Sequence, residues 1–140
     1  MPEPTPHPPF EELVEDFAFL DDWEERYMHV IDLGKGLEPL SDAERSEANK
    51  VRGCASQVWL VTEQDGDRLR FRGDSDAHIV RGLVAVVIAA LSGRSRADIL
   101  ATDMEALLAR LGLSEHLSSQ RANGLRSMVA RIRAEAAAPA

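Results

Sequence analysis

The stretch IVRGLVAVVIAAL, residues 79–91, is apolar on nearly every side of a helical wheel. A helix of that kind has little surface to offer water, so it belongs at the buried centre of a domain, under cover from other elements. It does not read as a membrane span, because its longest uninterrupted apolar run has nine residues and a span needs ~20. The chain just upstream supplies a cover with a different period. Residues 58–62 are β-branched and aromatic, Gln64-Asp65-Gly66-Asp67 holds the Asp-Gly pair of a tight hairpin, and RLRFR alternates Arg68, Arg70 and Arg72 with Leu69 and Phe71. That pattern predicts an antiparallel hairpin with one wet face. Residues 49–52 are expected to add a short third strand, with Gly53-Cys54-Ala55 as the bend between strands.

The remaining elements are helical. Phe10, Leu13, Val14, Phe17 and Leu20 recur at spacings of three and four, one stripe of a first helix. A second follows at once, capped by Asp21 or Asp22, with Trp23, Tyr27, Val30 and Ile31 as its apolar side and Gly34 as its end. The mixed stretch GKGLEPLSDAERSEA reads as a loop with one short helical turn near residues 42–47. Ser92-Gly93 stops the apolar helix, Thr102-Asp-Met-Glu105 has capping-box spacing ahead of ALLARLG, and Gly112 stops that helix. A last helix runs from about Ser119, with Leu125, Met128, Val129 and Ile132 on one face. Helices, then strands, then helices make an α+β fold: a small antiparallel three-stranded sheet packed against helices. The 140 residues suit a single domain. We expect it to span residues 10–137 behind a disordered Pro-rich lead of residues 1–9, which holds five prolines and lacks the basic start and apolar core of a secretory signal.

Charge narrows the partners. The net charge of −8 lies almost wholly in residues 1–32, where ten acidic side chains face one Arg; the rest of the chain has fourteen acidic against fifteen basic. A near-neutral body behind an acidic lead is a poor match to a phosphate backbone, so no nucleic acid and no membrane partner is expected. The cations are nearly all Arg, which favours bidentate pairing with carboxylates of a protein partner.

Cys54 is the only cysteine. One thiol leaves no intramolecular disulfide and, without a secretory signal, points to the cytoplasm. Iron-sulfur clusters and structural zinc need several thiolate or imidazole ligands, and His7, His29, His78 and His116 are scattered without paired spacing, so no metal or cofactor is expected. A nucleophilic thiolate needs positive charge nearby and access. Lys50 and Arg52 supply charge just upstream, while Gly53 and Ala55 leave the sulfur uncrowded. Against this stands the ordinary fate of a free cysteine, a small buried hydrophobe, which composition alone favours.

The sequence VRGCASQVWLV, residues 51–61, resembles the signature of SufE-type sulfur acceptor proteins (the SufE/CsdE family), in which Gly-Cys followed by Ser-Gln-Val-Trp surrounds a sulfur-accepting cysteine. Two further stretches are similar to that family in the same order: GDSDAHIVRGLVAVV at residues 73–87 and LGLSEHLSSQRANGLRSMV at residues 111–129. The resemblance covers residues 10–132 and implies a SufE/IscU-like fold. It also implies a partner: a pyridoxal-phosphate (PLP) dependent, SufS-like cysteine desulfurase, which the protein stimulates and from which Cys54 takes sulfur as a persulfide. A SufBCD-like scaffold complex that builds iron-sulfur clusters would receive that sulfur, and the acceptor would be a monomer or weak homodimer. Carried over residue by residue, Cys54 is the acceptor, and Arg121, Gly53, Arg52 and Asp76 are the partner-binding set. Arg121 reads equally as a solvated first-turn side chain. Asp74 and Asp76 read as caps of the apolar helix, and His116 as a structural hydrogen-bonder. Gln57 and Trp59 are candidates to line a pocket under the loop, and Gln120 stands where the family commonly has serine.

Four alternatives remain open from sequence. One is a paralogous acceptor for a different desulfurase, against which the Ser56-Gln57-Val58-Trp59 run speaks. The others are a single-cysteine redox sensor, a Cys-dependent hydrolase using His78 or His116, and a binding module in which Cys54 has no chemistry.

Overall fold

The computed structural model describes residues 8–53, 57–113 and 117–138. Strands β1 (Val58–Asp65) and β2 (Arg68–Ser75) pair antiparallel in unbroken register from Val58↔Ser75 to Asp65↔Arg68. The hairpin loop is therefore Gly66-Asp67, with Asp65 inside the strand. Gly66 alone of the two takes positive φ, +64°, which fits the glycine-first type of two-residue turn. On β2, Leu69 and Phe71 are buried and Arg68 and Arg70 exposed, as the alternation predicted.

The third strand comes from elsewhere than expected. It is β3 (Arg94–Ser95), paired antiparallel with Arg68 and Leu69 of β2, so the sheet order is β1-β2-β3. Residues 49–52 contribute one bridge, Lys50↔Trp59, on the free side of β1. Pairing stops there because the Asn49 N–H, which a longer ladder would need, turns back to the Ser46 carbonyl.

The apolar helix is α3 (His78–Leu91), and Leu83, Val84, Val86, Val87, Ala90 and Leu91 are all buried. It rests on the sheet at Gly73, where an added Cβ would meet Val84 Cγ1 at 2.7 Å. Helices α1 (Pro8–Ala18) and α2 (Trp23–Lys35) cover it. Helix α1 starts two residues inside the expected lead, since prolines in a first turn lack N–H groups that would be orphaned anyway. Helix α2 is capped by Asp22, which accepts from the Glu25 N–H, and it ends at Lys35 with Gly36 as its cap. Gly34, expected to end it, instead lies within it as a contact residue. A Cβ on Gly82 would come 2.1 Å from the Val30 carbonyl oxygen, and one on Gly34 2.6 Å from the Gly82 nitrogen. The two helices meet backbone to backbone.

Helices α4 (Arg96–Ala101), α5 (Met104–Arg110) and α6 (Ser119–Ala137) close the other side. The cap of α5 is Asp103, not Thr102. Thr102 is the residue that ends α4, where its hydroxyl donates to the Asp98 carbonyl and accepts from buried Arg94. The expected turn near residues 42–47 begins one residue earlier: Ser41 and Glu44 cap each other's N–H groups.

Candidate functional site

Cys54, with Ala55 and Ser56, lies outside the described residues, as does His116. The chain on either side of Cys54 is well defined. The Val51 N–H donates to the Val58 carbonyl at 2.8 Å, and the Leu60 N–H to the Asn49 carbonyl at 2.8 Å. These two bonds form a stem that joins the chain on either side of residues 52–57. At the loop's entry Gly53 is exposed with φ +89°, and a Cβ there would lie 2.6 Å from Ser127 Oγ on α6. At its exit the whole Gln57 peptide is held. Its N–H donates to Asp76 Oδ1 at 3.0 Å, and its carbonyl accepts from Ser75 Oγ at 2.7 Å and from the Asp76 N–H at 3.3 Å.

Neither aspartate does what the sequence suggested. The residue preceding α3 is Ala77, with no side-chain cap; Asp76 faces back to the loop instead. Asp74 is 2% exposed and is flanked by Arg45 Nη2 at 2.7 Å and Arg81 Nε at 2.8 Å, while its Oδ1 accepts the Ser75 N–H. The Arg81 contact is ionic and poorly aligned as a hydrogen bond, since that nitrogen finds no acceptor along its N–H. A buried carboxylate needs such compensation, because desolvation without it is prohibitive. Arg45 also lies over the Trp59 ring, 5.7 Å from its centroid. Next to it Glu44 accepts from both terminal guanidinium nitrogens of Arg72 on β2, whose Nε donates to Glu63 at 3.0 Å. Residues 41–49, leading into the stem, are thus fastened to the hairpin by adjacent charged pairs. Only the pattern Glu-Arg at 44–45 against alternating Arg and Asp on β2 hinted at this.

Arg121 is half-buried on the first turn of α6, capped by Ser118, with its guanidinium 5.9 Å above the Tyr27 ring of α2. It helps line a pocket of about 170 Å³ at the foot of the loop, together with Val58, Ala77, Leu83, Gly124 and Met128. Gln120 is also at this pocket, but Gln57 and Trp59 are not. Val58 and Trp59 point to opposite faces of β1, so Val58 takes the pocket and Trp59 takes Arg45. Arg52 is exposed and 3.6 Å from Glu47, a surface pair of little weight. His78 is the exposed first residue of α3. A larger groove, about 780 Å³, runs between α4–α5 and α6 and is lined by none of the residues expected from sequence to form the site. Among the described residues no three His, Cys, Asp or Glu side chains group to hold a metal ion, and no helix is long and apolar enough to cross a membrane.

The geometry defines a small α+β protein that fixes the chain on both sides of residues 54–56 and has a pocket rimmed by Arg121 next to Val58. A family model described as "SufE: Fe-S metabolism associated domain" matches residues 11–136. The chain belongs to the SufE family, which is associated with iron-sulfur metabolism. It is 57% identical over 130 residues to an uncharacterized SufE-like protein of Rhizobium etli, covering 90% of this chain and 88% of that one. A second SufE-like protein, from Rhizobium meliloti, is 55% identical over 130 residues, covering 90% and 93%. Among solved structures, a hypothetical protein from Thermus thermophilus shares the fold, with TM-score 0.74, 20% identity and 96% of both chains covered.

Proposed function

We propose that this chain is a sulfur acceptor: Cys54 takes persulfide sulfur from a PLP-dependent cysteine desulfurase, stimulates that enzyme, and passes the sulfur to a scaffold complex for iron-sulfur cluster assembly. The observation that carries the reading is family membership across residues 11–136 together with the VRGCASQVWLV segment around the single thiol. In the transfer, the Cys54 thiolate attacks the terminal sulfur of the donor's R–S–SH. A new Cys54 S–S bond forms, the donor S–S bond breaks, and the donor leaves as its thiolate. No electrons are gained or lost overall, so the acceptor needs no cofactor of its own. It acts as a carrier and activator rather than as an enzyme.

The surroundings support such a step. The loop's ends are fixed by the Val51–Val58 stem and by the Gln57–Asp76 bonds, so docking acts on a short, defined segment. The pocket beside Arg121 offers an apolar wall for a sulfur that must not meet stray reductants. Arg121, Arg52, Gly53 and Asp76 form the face offered to the desulfurase in this reading. The test is intact mass after incubation with an active cysteine desulfurase and cysteine, without reductant. Gain of sulfur by the wild type, its absence in Cys54→Ala and its removal by dithiothreitol are the expected results. No gain against a verified active desulfurase would reject the reading and bring the redox-sensor and hydrolase alternatives forward.

A further inference from the structure

One face of α6 runs along the stem that leads to Cys54. Ser127, Arg131 and Glu135 are spaced four apart and so share a side of the helix. Ser127 meets Gly53, Glu135 accepts from the Thr62 hydroxyl of β1, and Arg131 lies between them. Arg131 Nη1 donates to the Lys50 carbonyl at 2.8 Å and Nη2 to the Ala48 carbonyl at 2.7 Å, while Nε is 3.5 Å from Glu135 Oε1. The Asn49 carbonyl and the Val51 N–H are taken by β1, so the Lys50 carbonyl lies on the edge that β1 leaves open. The guanidinium covers that edge by donating to both carbonyls. Residues 48 and 131 are 83 apart in sequence, so this is a tertiary anchor and not a feature of the turn itself.

We infer that Arg131 is a positioning residue for the cysteine loop: its fork on the Ala48 and Lys50 carbonyls fixes the stem against α6 and thereby sets how Cys54 is presented to the sulfur donor. The inference rests on the reading of Cys54 as a sulfur acceptor, but its first readout does not. Because Cys54 is the only thiol, its alkylation by iodoacetamide reports the accessibility of that thiol directly, with no desulfurase present. Arg133 provides the control, for it donates to the Leu100 and Thr102 carbonyls from the other side of α6.

The expected result for Arg131→Ala is alkylation faster by about threefold or more, as local opening becomes easier, and slower single-turnover sulfur loading by a desulfurase. Arg131→Lys, which keeps the charge and can reach one carbonyl, should fall between wild type and Arg131→Ala, and it carries the test alone if the alanine variant does not fold. Arg133→Ala should leave both rates at the wild-type value. An alkylation or loading rate unchanged in the Arg131 variants, or the same shift in Arg133→Ala, overturns the assignment. If wild-type protein gains no sulfur, the alkylation rates still decide the role of Arg131, and it is the sulfur-acceptor reading that falls.

Discussion

At Gly53 the backbone takes φ +89°, a left-handed value that costs an L-residue roughly 1–2 kcal/mol. Gly53→Ala adds that strain and also forces the Ser127 hydroxyl to move, since the new Cβ would lie 2.6 Å from it. The hydroxyl can rotate away, so the lasting effect is conformational. We expect the variant to fold, to lose about 1–2 kcal/mol in urea unfolding, and to load sulfur more slowly because the loop starts in the wrong direction. Asp74 is a different case. It is 2% exposed between Arg45 and Arg81, and Asp74→Ala leaves two cations without their counter-charge. Breaking a buried pair from one side costs about 3–5 kcal/mol. Arg45 keeps a route to solvent, its side chain being 39% exposed, which puts the expected loss at the lower end, about 3 kcal/mol. Chemical denaturation of Asp74→Ala beside Asp74→Asn measures it, the amide retaining part of the hydrogen bonding.

Between elements, two contacts carry the argument. Segment 41–49 is fastened to β2 by Glu44, whose carboxyl is held down to about 2 from its ordinary 4.5, first by the Arg72 hydrogen bonds and next by the Ser41 N–H. A carboxylate with a folded pKa below its unfolded value contributes stability above the unfolded pKa. That contribution is lost as pH falls from 4.5 toward 2. Wild type should therefore exceed Glu44→Gln in urea midpoint at neutral pH, with the gap narrowing through this window and closing at its acid end. A gap that stays constant with pH would place the effect in packing instead. The second contact is the crossing of α2 and α3. With the Val30 carbonyl 2.1 Å from a hypothetical Gly82 Cβ, Gly82→Ala must push the helices apart along their length. Overpacking of this kind costs about 1–3 kcal/mol or more, and because the obstacle is backbone we expect the upper end, read as a fall in thermal midpoint.

Across the whole molecule, α1, α2, the sheet, α3 and α6 contribute to one continuous buried cluster, so unfolding should be a single cooperative event. Trp23 on α2 and Trp59 on β1 report different layers. The fluorescence transitions of Trp23→Phe and Trp59→Phe should coincide with far-UV circular dichroism in urea, and separated midpoints would mean that the helical cover unfolds independently. The same division explains what was legible in the sequence. The hairpin, the apolar helix, the Asp22 cap of α2 and the stop of α3 at Ser92 were readable, because period, turn residues and caps act over a few neighbours, whereas α4 was not anticipated. The third strand was misplaced, since residues 49–52 look strand-like locally and only the turn bond from Asn49 to Ser46 ends their pairing. Arg131 gave no signal, because its partners Ala48 and Lys50 are 83 and 81 residues away. Asp74 was misread as a cap because an aspartate ahead of a helix carries no mark of its burial. The cysteine was singled out by its flanking motif, whereas the stem at residues 49–51 and the pocket beside Val58 and Arg121 come from tertiary packing.

The hairpin tip at Gly66-Asp67 lies at the opposite end of β1 from the cysteine loop, about 25 Å away for eight extended residues. Nothing stands within 4 Å of where a Cβ at Gly66 would be. A fluorophore placed on a residue added beside Gly66, leaving that glycine in its turn, would therefore touch neither the stem nor the pocket. Paired with a labelled desulfurase, such a reporter would test the proposed docking in real time while the single native thiol stays unlabelled.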